Sequence, residues 1–574
     1  MVDFKSLSNE DNLRLTKAFS EEEIRDVVWL YDGSKCPGPN GFNLNFVKES
    51  WEVFKDAIVE AMVLFHDFGY IPKGCNASFV ALVPKVRDPS KLEQYRPISL
   101  VGVMYKVISK VLAERIKKVV VIDECQSAFL KDRGILDNVL TANEVLEDLR
   151  RRRMSGLCLK VDLKKAYDSV RWDFLYDMLH KMGFHSKWIM WIKGCLASAT
   201  LSVLVNGCPT EEFYLSRGLR QGDPLAPFLF IVVAEGLAGL VRQAVKANLY
   251  SGLNIGRKEV ELCILQLVDD MLFLCQDAYS NVFTLKAILR GFEVASGLKI
   301  NFHKSKLAGI NVHKSNMDCY TKNLNCSQME VPFIYYGLVV GGNPRKKKFW
   351  EPILRKLKSR LSVWKRRFLS MAGRLCLIKS VLSAIPLLSL FKAPEVVCKS
   401  IISIQRTFLW GWGKENMPVS CITWKDICKL KGEGGLDIRD IRKFNYALLA
   451  KWKWRCISDD KGRWKEVLDS KYGLDPSSFH ISVKYQSWWW RDLLKVCTEE
   501  GGDGWFQEQV GWKIGSGDKV RFWEVVWVGN SNLKTLFPGL YSLSLNQGQK
   551  VEEVGVWDDL EWRWTLTWRR SRFE

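Results

Sequence analysis

Residues 262–275 read LCILQLVDDMLFLC, an apolar run with two adjacent aspartates, Asp269 and Asp270, at its centre. Neighbouring carboxylates repel, and burying even one unpaired charge costs several kcal/mol. The run therefore has two ways to fold. Either the pair sits on an exposed turn between two strands, or a strongly positive group neutralises it in place. On this stretch alone a plain surface turn satisfies the pattern.

At 574 residues the chain is too long for a single core, and two to four domains are expected. Its residues are 47% hydrophobic, with 29 Phe and 24 Trp, which supplies a packed interior and excludes a disordered chain. The net charge of +21 favours polyanionic partners such as nucleic acid. Sixteen cysteines occur without a CxxC pair and without clustered histidines, which argues against a zinc module and for reduced thiols. The start, MVDFKSLSNEDN, has no apolar signal region, and the greasiest run, Phe228–Ala234, is interrupted by Glu235 and is too short to span a bilayer. A soluble, intracellular protein, nuclear or cytoplasmic, with no membrane partner is expected.

The first 75 residues alternate helix-like stretches with a turn signal, KCPGPNGF (35–42), whose Pro and Gly residues break any regular element. ALVPKV and YRPISL then read as strands, followed by a helix over Tyr105–Val120. LCLKV (157–161) alternates like a strand and ends at Asp162. LSRGLRQGDPLAPFLF (215–230) reads as a glycine-rich loop entering an apolar helix, with Asp223 as N-cap and Pro224 as first helical residue. Between Arg345 and Lys379 there are thirteen Lys/Arg and one acid, Glu351. Ile353, Leu357, Leu361, Trp364 and Phe368 recur there at helical spacing, which predicts an amphipathic helix with a basic outer face. The near absence of acids favours nucleic-acid contact over a merely solvated surface. Beyond about residue 458 the tail is Trp-rich, and core packing explains its aromatics better than base stacking does.

If the strand ending at Asp162 neighbours the hairpin bearing Asp269 and Asp270, three carboxylates converge on one rim. Divalent cations would make that arrangement affordable. Carboxylates without nearby His or Cys suit Mg²⁺, two ions in a nucleotidyl-transfer site, with Mn²⁺ as a substitute. Tyr167 can press against a nucleotide sugar or simply pack the strand onto its helix. Lys85 and Arg96 flank a turn and can hold a triphosphate or remain solvated. Gln221-Gly222 lets the backbone approach a ligand closely.

The sequence resembles the reverse transcriptases of plant LINE-type (non-LTR) retrotransposons. The matching blocks, in the family's order, include KCPGPNGF (35–42), ALVPKVRDPSKLEQYRPISL (81–100), QSAFLKDRGILDN (126–138), KVDLKKAYDSVRWDFL (160–175), GLRQGDPLAPFLF (218–230), LQLVDD (265–270) and SGLKINFHKSK (296–306). Further blocks follow as far as GGLDIRDIRKFNYALLAKWKWR (434–455). The resemblance implies an α+β right-hand polymerase of fingers, palm and thumb, with a reverse-transcriptase palm and a mostly helical Trp-rich C-terminal region. It divides the chain into an N-terminal extension (1–75), fingers and palm (76–325), a basic thumb/connection (326–457) and a truncated tail (458–574). By position, Asp162, Asp269 and Asp270 match the Mg²⁺-binding carboxylates, and Tyr167 the position that excludes a ribose 2′-OH. Gln221 and Gly222 match the loop along the incoming nucleotide, Arg96 and Lys85 the fingers on its phosphates, and Lys304 a lysine near the triphosphate. Arg345, Lys346, Lys347, Lys348, Lys365, Arg366 and Arg367 then fall in the thumb that tracks the template–primer backbone.

The expected function is RNA-directed DNA synthesis from a 3′-OH primer, with an RNA template, a DNA primer and dNTPs as partners. Departures from the pattern support an alternative, a catalytically inactive element remnant that still binds nucleic acid. Leu267 and Val268 replace an aromatic and Ala, Met271 a usual Thr, and Asn40 an acid. A maturase-like RNA-folding protein is a third reading. The endonuclease that precedes the polymerase in full-length members, and the Cys/His or ribonuclease H region that often follows it, do not fit, so truncation at both ends is expected.

Overall fold

The structure, a computed structural model, describes residues 2–130, 132–362, 368–383, 385–410, 422–458, 462–474, 486–498, 505–508, 510–558 and 561–569. The chain forms two compact units. The first comprises Met1–Asn138, Arg152–Asn254 and Glu261–Val331; the second comprises Val139–Arg151, Ile255–Val260 and Pro332–Glu574.

The first unit opens with helices α1 (Asn9–Thr16), α2 (Glu21–Leu30), α3 (Leu44–Glu49) and α4 (Trp51–Phe68). Ser8 and Ser20 cap α1 and α2 by accepting from Asp11 N–H and Glu23 N–H. Leu15, Ile24, Val28, Met62 and Phe65 are fully buried in the same apolar cluster as Leu112 and Trp191. The N-terminal segment thus shares the core of this unit. Its KCPGPNGF turn abuts the end of a strand: a Cβ on Gly38 would lie 2.4 Å from Val101 O, so only glycine fits.

Strands β1 (Ala77–Pro84), β2 (Tyr95–Val101), β3 (Gly156–Val161), β4 (Thr200–Val205), β5 (Ile264–Leu267), β6 (Asp270–Cys275), β7 (Lys306–Ile310) and β8 (Ser327–Gln328) build two sheets in this unit. In one, β1 pairs antiparallel with β2, placing Val83 across from Arg96, and parallel with β4. The other has the order β5-β6-β3-β7-β8, antiparallel except for the last pair. Helices α5 (Val103–Val119), α6 (Ile135–Arg152), α7 (Ala166–Ser169), α8 (Trp172–Lys181), α9 (Ser186–Ala197), α10 (Ala226–Lys246) and α11 (Tyr279–Ser296) follow along the chain, most of α6 belonging to the second unit.

Helix α10 is, among the described residues, long and apolar enough to cross a membrane by length and composition, yet it is packed into the core. Phe230, Ile231, Val232, Val233 and Ala234 are fully buried. Glu235, also buried, accepts from Arg242 Nη2 at 2.7 Å and Asp123 N–H at 3.0 Å, as a buried carboxylate must. The helix begins at Ala226, with Pro227 in its first turn, so Asp223 is not its N-cap and Pro224 is not its first residue. Asp223 is taken by other partners: it accepts from Tyr105 Oη (2.8 Å), Leu225 N–H (2.9 Å) and Arg220 Nη2 (3.3 Å).

The second unit contains α12 (Lys347–Arg360), α13 (Met371–Ser383), α14 (Glu395–Trp410), α15 (Ile441–Ile457), α16 (Arg463–Tyr472) and α17 (Trp488–Thr498). Among the described residues the helix expected over 345–379 is not continuous: α12 ends at Arg360 and α13 begins at Met371, while 363–367, Trp364 included, lie outside the described residues. Phe349, Trp350, Leu354 and Leu357 form the buried stripe of α12, which ends when Leu361 leaves helical geometry. Phe368 lies off that stripe at 81% exposure. Fully buried Glu144 anchors the unit, accepting from Lys471 Nζ (2.6 Å), Tyr472 Oη (2.7 Å) and Ser487 Oγ (2.7 Å). Trp490 stacks on Tyr472 at 4.5 Å between centroids. A small cluster around Phe522 and Trp523 and a hairpin of β9 (Gly555–Asp558) and β10 (Glu561–Trp564) complete the described chain. Most of the tail's tryptophans serve packing, although Trp557 and Trp564 are exposed. The described cysteines are free thiols.

Candidate functional site

The run that opened the sequence forms the β5–β6 hairpin. Leu267 pairs with Asp270 across a two-residue turn of Val268 and Asp269. Val268 has φ +58°, a left-handed conformation costly for a β-branched residue. Its amide donates to Gln126 Oε1 at 3.1 Å, and that same oxygen accepts from Ala128 N–H at 3.1 Å. Gln126 is fully buried and lies in a segment pairing alongside β5. Gln126→Ala leaves two amides without this acceptor and is expected to lower unfolding free energy by about 2–3 kcal/mol, read by urea denaturation.

Register then brings the carboxylates together. β6 runs antiparallel to β3 with Met271 opposite Val161, so the next residues outward, Asp270 and Asp162, face each other at the strand ends. Asp269 lies beside them in the turn. Its carboxyl is held above the ordinary aspartate range chiefly by the protein crowded around it. A backbone amide opposes that shift, the charges of Asp270 and Asp162 add to it, and Arg96 counteracts it. Lys160 Nζ, two residues before Asp162, lies 3.5 Å from Asp270 Oδ1. Asp162 Oδ2 accepts from Asn301 Nδ2 at 3.3 Å, while its backbone carbonyl accepts from Asn301 N–H at 2.7 Å. Ser305 Oγ accepts from Asp162 N–H at 3.2 Å.

Among the described residues no three His, Cys, Asp or Glu side chains form a ready-made metal cage. Two of the three aspartates lean instead on Lys160 and Asn301. The donor set nevertheless suits a hard divalent cation: it is all carboxylate oxygen and carries mutual repulsion that a cation would relieve.

The nucleotide-side candidates surround the same rim. Tyr167 is half-buried and stacks on Phe230 at 4.9 Å, so the packing role is real. Burial and then the charge of Asp269 push its hydroxyl pKa up, which places the ring within electrostatic reach of the turn. Arg96 is exposed and acts on Asp269. Lys85 donates to Glu93 O at 3.0 Å. Lys304 is exposed in the loop that contacts Asp162 through Asn301.

Gln221 O accepts from Ser99 N–H at 2.7 Å, and Gln221 Nε2 donates to Asp168 Oδ1 at 3.3 Å. The close backbone approach at Gly222 is to β2 itself: φ is +110°, and an added Cβ would lie 2.9 Å from Ser99 O. Gly222→Ala is expected to destabilise the protein by about 1–3 kcal/mol, measured as a fall in thermal midpoint.

The basic candidates divide. Arg345 stacks over Trp488 at 4.3 Å and pairs with Asp492 at 3.1 Å, so its charge is already committed. Lys346, Lys347 and Lys348 are exposed. Lys365, Arg366 and Arg367 lie outside the described residues.

An antiparallel sheet with facing carboxylates at the ends of β3 and β6, and with Tyr, Gln and cationic residues on neighbouring elements, is the arrangement a polymerase palm requires. Residues 83–336 match the family of reverse transcriptases, described as RNA-dependent DNA polymerases. The transposon TX1 uncharacterized 149 kDa protein of Xenopus laevis is 26% identical over 513 residues, covering 84% of this chain and 38% of that protein. A putative ribonuclease H protein of Arabidopsis thaliana is 34% identical over 192 residues, 33% of this chain and 30% of that protein. The Pol polyprotein of the type-2 retrotransposable element R2DM of Drosophila melanogaster is 26% identical over 298 residues, 52% of this chain and 27% of that protein. Residues 83–336 are thus similar to reverse transcriptases, and the chain is similar to proteins of transposable elements. It spans less than two fifths of the length of each of these relatives.

Several residues that build the site had no signal in the sequence. Gln126, Lys160, Asp168, Arg220 and Asn301 all fall inside the quoted blocks, but isolated polar residues at strand ends and in loops carry no periodicity that singles them out.

Proposed function

We propose that the chain is an RNA-directed DNA polymerase that extends a DNA primer with dNTPs on an RNA template. The observation that carries this reading is the β3–β6 register, which faces Asp162 with Asp270 and sets Asp269 beside them. These three carboxylates would hold Mg²⁺, two ions by the logic of nucleotidyl transfer. Bound there, the metal supplies Lewis-acid stabilisation of the attacking and departing oxygens.

The chain's own groups would do the rest. Arg96, Lys85 and Lys304 neutralise phosphate charge, Tyr167 bounds the sugar, and Gln221 hydrogen-bonds the nucleotide. Lys346, Lys347 and Lys348 give the second unit a cationic face for a nucleic-acid backbone. The stretch shared with the Arabidopsis protein supports a plant element, and work on nucleic acid suits an intracellular, nuclear or cytoplasmic, location.

One observation favours the second reading, a copy that binds nucleic acid without synthesis. Leu267 fills a fully buried position where an aromatic is expected. The test is extension on an RNA template with Mg²⁺ and dNTPs, comparing wild type with Asp270→Asn. Product from the wild type alone supports the enzyme; bound but unextended primer in both supports the silent copy.

A further inference from the structure

Gln221 is held from two sides, and the two holds differ in kind. Its backbone is fixed by β2 and by a buried polar knot centred on the preceding residue. Arg220 is 5% exposed and lies over the Tyr105 ring at 4.1 Å. Its Nη1 donates to Asn76 Oδ1 (2.7 Å), Asn76 O (3.2 Å) and Ser78 Oγ (3.1 Å), and its Nη2 to Asp223 Oδ2 (3.3 Å). The loop is also tied to α7: Leu219 N–H donates to Tyr167 O at 2.7 Å, and a Cβ on Gly218 would lie 2.8 Å from Asp168 O. With the backbone so constrained, the freedom left to Gln221 is its side-chain amide.

That freedom is restricted by Asp168. An ionised carboxylate only accepts, so the Asp168 Oδ1 contact at 3.3 Å commits Gln221 Nε2 inward. Among the described residues nothing donates to Gln221 Oε1, which leaves that oxygen as the group for a ligand to meet. Asp168 is half-buried beside the tyrosine of the site; burial raises its carboxyl above the ordinary aspartate range, and the Gln221 amide and the charges of Lys165 and Lys85 oppose that rise. It is six residues from Asp162 and takes no part in the carboxylate cluster.

We propose that Asp168 is a positioning residue: it fixes the Gln221 carboxamide with its nitrogen inward and its oxygen toward the incoming nucleotide. The inference rests on the polymerase reading for the identity of that ligand. Losing one such hydrogen bond should weaken nucleotide binding roughly 10-fold.

The test measures dNTP affinity for a complex of the full chain with an RNA template and a chain-terminated DNA primer, which needs no chemistry. Asp168→Ala should weaken dNTP binding about 10-fold, while template–primer affinity and thermal midpoint stay near wild type. Asp168→Asn, whose Oδ1 still accepts, should restore affinity to within about 3-fold. In a Gln221→Ala background, Asp168→Ala should add nothing further.

Equal losses in Asp168→Ala and Asp168→Asn would show that charge, not orientation, matters, and would overturn the proposal. So would a loss that persists without Gln221. A wild-type complex that holds template–primer but neither binds dNTP nor extends an unblocked primer overturns this inference together with the polymerase reading. Extension by the wild type with an additive double mutant overturns the positioning role alone.

Discussion

Asp269→Asn is expected to abolish RNA-templated synthesis while making the metal-free protein slightly more stable. The loss of activity follows from the loss of a charged oxygen donor in a site whose metal contributes several kcal/mol of transition-state stabilisation. About 4 kcal/mol corresponds to roughly 10³-fold in rate. The gain in stability follows from the repulsion written into the hairpin: crowding and the charges of Asp270 and Asp162 raise the carboxyl of Asp269.

A carboxyl raised in the folded state favours the fold when protonated and opposes it when ionised. Its destabilising effect is absent below the unfolded aspartate pKa of about 3.9 and complete above the raised folded value. At pH 7 the substitution should therefore raise the thermal midpoint by about 1–3 °C, the scale of one water-screened like-charge contact. The difference should shrink toward pH 4, and Mg²⁺ should stabilise the wild type more than the variant. Differential scanning calorimetry across pH, with and without Mg²⁺, reads all three effects. A variant less stable than the wild type at pH 7 in EDTA would contradict the electrostatic account.

Arg220→Met should be the more damaging change to the fold, at about 3–5 kcal/mol. The guanidinium is almost wholly buried and satisfies Asn76, Ser78 and Asp223 at once, while Asp223 also takes the Tyr105 hydroxyl. Removing the cation strands a buried carboxylate beside the loop that carries Gln221. The double variant Arg220→Met/Asp223→Leu should recover part of that loss, because it removes the uncompensated charge along with its partner. Urea denaturation of the two single variants and the double variant measures the coupling. Additive losses would mean that the pair acts as two independent packing residues.

The parts legible in the sequence were those where chemistry interrupts a pattern. Asp162 ends an alternating strand and Asp269-Asp270 breaks an apolar run, and both features survive as the end of β3 and the β5–β6 turn. What periodicity could not supply was register: nothing local says that Met271 faces Val161, yet that single pairing makes the carboxylate rim. The polar supports were equally silent, because Gln126, Asn301 and Asp168 act across long sequence separations.

Local rules also misfired in two places. Asp223-Pro224 has the look of a helix start, but a three-way hydrogen-bond competition claims the aspartate and the helix begins at Ala226. The basic apolar spacing after Arg345 continued past the point where the buried stripe of α12 ends. Leu267, which stands where the resembled family has an aromatic, is a fully buried strand residue. An aromatic introduced there meets packed core, and overpacking of that kind costs about 1–3 kcal/mol.

The most direct test of the central claim is extension of a labelled DNA primer annealed to an RNA template by the wild-type chain, in Mg²⁺ and then in EDTA, with template–primer binding measured in parallel. The expected result is product lengthened one nucleotide at a time in Mg²⁺ and no product in EDTA, with Asp162→Asn, Asp269→Asn and Asp270→Asn bound but silent. Folded wild-type protein that binds the template–primer and adds no nucleotide in Mg²⁺ or Mn²⁺ would contradict the account.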